Sequence, residues 1–176
     1  MTLTQLLAIL PLLILSLGIA LSLLLVAVKR TQRIIQLFSL TIIFLTFIST
    51  CSLLSIDAIQ VTPLLLIDGQ GMFAFLIILV ASFAVMSISF LNLHQNVDVH
   101  DEYYLLVLLV VLGAGILVFS HHFASVFLGF ELLSISLVGL VGYHRERDFS
   151  IEAGFKYLIL SATASSFMLL GMAFIY

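Results

Sequence analysis

The chain has 176 residues, of which 63% are hydrophobic and 9% are charged, and its formal net charge is −3. A mean hydropathy of +1.34 excludes an ordinary soluble domain, because such a domain needs a charged surface to face water. The composition predicts an integral membrane protein, and no basic patch is large enough to indicate nucleic acid as a partner.

Six long apolar stretches follow one another along the chain and are separated by short polar breaks. Each approaches the roughly 20 residues that a helix needs to cross the hydrocarbon core, and each is too long for a barrel strand. Because helices satisfy their own backbone hydrogen bonds in lipid, we expect an all-α fold with six transmembrane helices in one domain. Their predicted bounds are 3–28, 34–56, 72–90, 103–120, 123–143 and 151–176.

Several residues predict local details of these helices. Pro11 lies inside the first apolar stretch and is expected to kink its helix, whereas Pro63 lies in the loop after the second stretch. Ser150 suits the N-cap of the sixth helix, and Glu152 in its first turn complements the positive helix end. The small residues 161–166 would let a neighbouring helix approach closely.

The distribution of basic residues predicts how the chain is oriented in the membrane. Lys and Arg occur in or beside the first and fifth breaks, which lie on one side of the membrane if six helices alternate. The positive-inside rule places these breaks in the cytoplasm and the N-terminus outside. The residues that carry this prediction are Lys29, Arg30, Arg33, Arg145 and Arg147.

The most unusual residue is Glu131, an acid in the middle of the fifth apolar stretch. It lies eight residues after Phe123, about 12 Å along a helix and therefore near the middle of the bilayer. Placing an acid there costs roughly 2.5–3.5 kcal/mol, and such residues mark ion and proton pathways. Ser134 on the same helical face could donate a hydrogen bond to it or hold a water beside it. Glu131 is a candidate proton-relay carboxylate, and the alternative is an acid that pairs with a neighbouring helix for structure alone.

Lys156 is the only Lys or Arg inside a predicted span. It follows Glu152 by four residues, an order that favours a local ion pair on a helix surface. Counted from the loop that joins the last two helices, Lys156 lies about 8 Å deep and Glu131 about 18 Å deep. We therefore expect no direct ion pair between these two residues, while a link through water stays open.

The remaining candidate ligands form weaker patterns. His121 and His122 are adjacent in a short break, which fits an interfacial turn better than a metal site, and His94 and His100 lie in a polar segment that fits a solvated loop. A single cysteine, Cys51, excludes a disulfide within the chain. No nucleotide, haem or iron–sulfur motif occurs, so we expect neither a metal site nor a redox cofactor in this chain.

Two long motifs and one spacing carry a resemblance to a known family. They are the stretches "FLGFELLSISLVGLVGY" and "EAGFKYLILSATASSFMLLGMAFIY" and the interval from Glu131 to Lys156. With these features, residues 101–176 resemble subunit N of bacterial NADH–quinone oxidoreductase, respiratory complex I. Upstream, "LLLIDGQGMFAF" is similar to the family pattern, and the first hundred residues otherwise agree mainly in the number and placement of spans.

The resemblance implies an antiporter-like membrane-arm fold and a role in proton translocation, with Glu131 and Lys156 in the proton pathway. It implies a non-redox subunit of the enzyme in the bacterial inner membrane, surrounded by lipid and by neighbouring antiporter-like subunits. NADH, FMN, the iron–sulfur clusters and quinone would be bound by other subunits of the complex.

The chain departs from the family because it stops at Tyr176, before the further helices that family members carry. A lysine of the seventh helix, the expected partner of Glu131, would lie among those helices. We therefore expect the N-terminal portion of the family fold, with the remainder supplied by another polypeptide or absent. Two alternatives stay open: a subunit of a multi-subunit sodium/proton antiporter, and an inactive truncated fragment with a structural role.

Overall fold

The computed structural model describes residues 3–28, 32–56, 58–93, 102–143 and 149–175. Within this part of the chain, helices follow one another and one β-hairpin interrupts them. The elements are α1 (Leu3–Ala8), α2 (Leu10–Val28), α3 (Gln32–Ser52), β1 (Ile59–Thr62), β2 (Leu65–Ile67), α4 (Gly69–Leu93), α5 (Glu102–Val118), α6 (Phe123–Val141) and α7 (Ser150–Ile175).

The helices agree with the prediction of a multi-pass membrane protein. Among the described residues, five helices are long and apolar enough to cross a membrane, namely α2, α3, α4, α6 and α7. The predicted span 103–120 corresponds to α5, which is apolar but has only 17 residues. Helix α5 ends at Val118 because the chain turns there to meet the hairpin.

The first predicted span consists of α1 and α2, which are separated by the single residue Ile9. Backbone hydrogen bonds continue on both sides of the interruption, from Ile9 N to Gln5 O (3.2 Å) and from Leu13 N to Ile9 O (3.1 Å). Pro11 explains the position of the break, since it has no N–H to donate to the carbonyl of Leu7 and its ring crowds that carbonyl.

The segment between α3 and α4, predicted as a loop, contains the β-hairpin. Its strands β1 and β2 are antiparallel, with Ile59 opposite Ile67 and an irregularity in the register between Gln60 and Thr62. Pro63 opens the two-residue turn between the strands, a position for which its fixed φ is suited. Strands this short, with one irregular residue, show too little alternation to be predicted from the sequence.

The hairpin packs against the turn between α5 and α6. Leu66 N donates a hydrogen bond to Phe119 O (3.0 Å), and Leu65 and Ser120 form an isolated antiparallel bridge. The Phe119 ring is buried and meets the Phe75 ring edge to face at 5.6 Å. The hairpin thereby fixes the turn that leads into α6.

The buried core lies mainly among α2, α3, α4 and α5. Helix α5 contacts α2, α3, α4 and α6, whereas the main contact of α7 is with α6. The largest fully buried side chains include Phe75, Phe119, Leu15, Ile35 and Ile43.

Helix α7 begins one residue earlier than predicted, and Ser150 is its first residue rather than its N-cap. The carbonyl of Phe149, a residue with a φ of 72°, instead accepts the first helical hydrogen bond, from Ala153 N at 2.8 Å. The Ser150 hydroxyl donates to Val141 O at 3.2 Å, which joins the start of α7 to the end of α6. Glu152 lies in the first turn of α7, as predicted.

Most of the basic residues on which the predicted membrane orientation is based lie outside the described ranges. These are Lys29, Arg30, Arg145 and Arg147, while Arg33 is exposed near the start of α3. The orientation with the N-terminus outside therefore stays a prediction. His94 and His100, assigned to a solvated loop, also lie outside the described residues.

Candidate functional site

Glu131 lies in the middle of α6, as the sequence predicts. It is the ninth of the 19 residues of this helix, and its side chain is partly buried. Among the residues that the structure describes, none forms an ion pair or a hydrogen bond with the Glu131 carboxylate. The described helices therefore hold the acid in the middle of an apolar helix without a counter-charge.

The start of α6 is held by a capping box and by the hairpin turn. Ala124 N donates to His122 Nδ1 (3.1 Å), and His122 N donates to Ser125 Oγ (3.3 Å). The Leu64 carbonyl in the hairpin accepts from Ser125 Oγ (2.7 Å) and from His121 N (2.9 Å). The two adjacent histidines thus build a turn, as predicted, and its position at the membrane interface stays a prediction.

On one side, the backbone of α6 touches the backbone of α5. A methyl group added at Gly113 would lie 2.8 Å from Leu133 N, and one added at Gly129 would lie 3.0 Å from Leu117 N. Only residues without a side chain allow this approach. Glu131 follows Gly129 by two residues, about 200° around the helix, so its side chain is on the side of α6 that is turned away from α5.

On the other side, Gly142, the residue that follows α6, meets Gly154 of α7. A methyl group added at Gly154 would lie 3.3 Å from Gly142 Cα. It would also lie 3.8 Å from Val138 O; Glu131 precedes Val138 by seven residues, which is about two helical turns, so both residues lie on the same side of α6. Glu131 therefore shares the side of α6 that packs against α7.

Lys156 lies on a different side of α7. Its Nζ is 2.6 Å from Glu152 Oε1, and the two side chains are 70% and 52% exposed. Lys156 follows Gly154 by two residues, about 200° around the helix, so it is turned away from α6. The ion pair with Glu152 that the spacing predicts is present, and Lys156 makes no ion pair with Glu131.

Sequence reasoning missed which of the small residues of α7 face α6. The run 161–166 contains two stripes at i, i+4 spacing, Ser161–Ser165 and Ala162–Ser166, and both suit close helix packing. In the structure Ser165 is buried, while Ala162 and Ser166 are exposed. No signal in the sequence separates the two stripes, because both consist only of small residues.

Comparison with known proteins gives a match to a protein family and matches to solved structures. Residues 120–176, a range that contains Glu131 and Lys156, match the family described as "NADH:quinone oxidoreductase/Mrp antiporter, TM". A chain of respiratory complex I from Thermus thermophilus, solved with bound aureothin, is similar over 94% of this chain, with a TM-score of 0.81 and 26% sequence identity. The match covers 36% of the Thermus chain, so this chain spans about a third of that length.

These matches agree with the resemblance found in the motifs at the level of an antiporter-like membrane subunit, and assignment to subunit N stays a prediction. They indicate an antiporter-like membrane fold of the kind found in complex I, in a chain that crosses the membrane several times. The same family description includes Mrp antiporters.

Proposed function

We propose that this chain is a proton-translocating membrane subunit of a bacterial NADH–quinone oxidoreductase, of the subunit N type. The observation that carries the proposal is Glu131, an acid in the middle of a membrane helix and inside the range that matches the proton-transporting family. The proposal places the chain in the inner membrane with its N-terminus outside, beside other antiporter-like subunits. Redox cofactors and quinone would be bound elsewhere in the complex.

In this proposal, Glu131 carries the proton and a cation controls when it does so. A cation close to a buried carboxylate favours the charged form, and withdrawal of the cation favours proton uptake. Within the described helices Lys156 is paired with Glu152 and turned away from α6. The controlling cation therefore comes from outside these helices, and Lys156 takes part further along the same pathway.

The test is the substitution Glu131→Gln, which keeps the shape of the side chain and removes its ability to exchange a proton. In inside-out membrane vesicles, NADH-driven proton uptake is expected to fall by about tenfold or more, because a positioned proton-transfer group typically contributes at least that much. NADH oxidation by an artificial electron acceptor reports the amount of assembled complex and is expected to stay unchanged.

A matched control is Glu102→Gln, which removes an exposed acid from the first turn of α5. Proton uptake by this variant is expected to equal that of the parent chain. Normal proton uptake in the assembled Glu131→Gln complex would exclude Glu131 from the pathway and would leave the structural role as the better account.

The second candidate function is that of a subunit of an Mrp-type cation/proton antiporter, which the family description favours equally. Such a subunit would use Glu131 in the same way, but it would exchange protons for sodium without NADH. The two functions are distinguished by sodium-driven proton movement in vesicles that lack NADH. Sodium-driven exchange that Glu131→Gln abolishes would favour the antiporter over the oxidoreductase.

A further inference from the structure

The hydroxyl of Ser165 differs from its neighbours on α7. Most hydroxyl groups in the described helices donate to a backbone carbonyl of the preceding turn, as Thr163 does to Ile159 O (2.7 Å) and Ser166 to Ala162 O (2.8 Å). Ser165 is 6% exposed, and its Oγ is buried without a hydrogen-bond partner among the described residues. A buried hydroxyl without a partner is costly, which makes Ser165 a candidate donor to a polar group in the interface between α6 and α7.

The packing of α6 against α7 shows which residue of α6 lies at the same height along the helix axis as Ser165. The end of α6 and the start of α7 lie together, because Ser150 Oγ donates to Val141 O and Gly142 meets Gly154, and we infer that the two helices run antiparallel from this contact. Ser165 follows Gly154 by eleven residues and Glu131 precedes Gly142 by eleven, so each lies about 16 Å from this contact at 1.5 Å per residue.

The same count fixes the sides of the two helices. Eleven residues make close to three full turns, so Ser165 lies on the side of α7 that faces α6, and Glu131 lies on the side of α6 that faces α7. A methyl group added at Gly154 would also lie 3.8 Å from Val138 O, which places the turn from Ser161 to Ser165 opposite Glu131. Within that turn, Ser165 is the buried serine.

We propose that Ser165 is a positioning residue for Glu131: its hydroxyl, which has no partner among the described residues, donates a hydrogen bond to the Glu131 carboxyl group once the Glu131 side chain turns toward α7. The inference extends the proposed function, because it assumes that Glu131 is the group that carries the proton. The hydroxyl would fix the orientation of the carboxyl group in the interface between α6 and α7. This hydrogen bond would provide a partner both for the Glu131 carboxyl group and for the buried Ser165 hydroxyl.

The test compares Ser165→Ala with Ser166→Ala, since the second serine is adjacent, exposed and already bonded to Ala162 O. The first readout is the infrared band of the Glu131 carboxyl group in the full chain in lipid, identified as the band that Glu131→Gln removes. Ser165→Ala is expected to shift this band, because the carboxyl group loses a hydrogen bond, and Ser166→Ala is expected to leave it in place. Ser165→Thr, which keeps the hydroxyl, is expected to restore the parent position.

The second readout is proton uptake by membrane vesicles. Ser165→Ala is expected to lower it by about fivefold, the effect of one lost hydrogen bond, with the amount of assembled complex unchanged. An unshifted infrared band in Ser165→Ala would overturn the inference. It would also be overturned if Ser161→Ala lost proton uptake while Ser165→Ala kept it. The proposed function has its own test, because it fails if the Glu131→Gln complex still takes up protons. In that case the infrared band of the Glu131 carboxyl group still shows whether the hydrogen bond from Ser165 exists.

Discussion

Helices α5 and α7 both pack against α6, but they are held in different ways. Helix α5 contacts α2, α3, α4 and α6 and buries residues along its length, among them Tyr104, Leu108 and Gly113. Helix α7 is longer, at 26 residues, yet only Gly154 and Ser165 are buried in it. Because exposed apolar side chains face lipid at no cost in a membrane, both arrangements are compatible with a stable fold.

The difference separates the contacts that build the fold from the contacts that surround the candidate site. Glu131 lies on the side of α6 turned away from α5 and toward α7. The α5 side positions α6 through backbone contact at Gly113 and Gly129. The α7 side offers a buried hydroxyl at Ser165 and few other contacts. Substitutions on the two sides should therefore have different effects on stability and on proton transfer.

The largest effect on stability is expected for Gly113→Ala. The added methyl group would lie 2.8 Å from Leu133 N and 3.0 Å from Gly129 O, and these backbone atoms cannot move away without separating α5 from α6. Overpacking of this kind costs about 1–3 kcal/mol. The expected result is a clearly lower midpoint of thermal unfolding for the purified chain in mild detergent.

The matched control is Gly171→Ala, because an added methyl group at Gly171 meets nothing within 4 Å. This variant should be as stable as the parent chain or slightly more stable, since alanine has the higher helix propensity. Equal midpoints for Gly113→Ala and Gly171→Ala would show that the backbone contact between α5 and α6 does not hold the fold.

A smaller effect is expected for Gly154→Ala at the contact between α6 and α7. The methyl group would lie 3.3 Å from Gly142 Cα, so a shift of a few tenths of an ångström relieves the overlap. Helix α7 can make this shift because its main contact is α6. The free energy of unfolding should fall by less than about 1 kcal/mol, measured in the same detergent. A loss as large as that of Gly113→Ala would contradict the loose packing of α7.

The sequence allowed the helices of this fold to be predicted, but not their contacts. Runs such as 123–143 and 151–176 are apolar enough to be recognised as membrane helices. Which side of each helix is buried could not be predicted, because lipid-facing and core-facing positions are both apolar and no amphipathic pattern separates them. The backbone contact at Gly113 and the burial of Ser165 were missed for this reason.

For the candidate site, the sequence was informative only where charge was involved. Glu131 and Lys156 stand out because charged residues are rare in apolar helices, and the pairing of Lys156 with Glu152 followed from their spacing. The hairpin and its contact at Leu64 could not be predicted, because its strands are short and one is irregular. The capping role of His122 depends on that turn geometry, which adjacent residues alone do not specify.

The smallest effect on stability is expected for Lys156→Met, on the exposed side of α7. The ion pair with Glu152 is 70% and 52% exposed, and exposed pairs contribute about 0–1 kcal/mol, so the unfolding midpoint should hardly change. Proton uptake by vesicles should nevertheless fall by a few fold, because the proposal places the charge of Lys156 in the pathway. Glu152→Gln is the matched control, since it breaks the same ion pair but keeps the lysine charge. Equal losses of proton uptake in both variants would assign the effect to the ion pair between Lys156 and Glu152. Normal proton uptake in Lys156→Met would leave Lys156 as a surface residue that stabilises the first turn of α7.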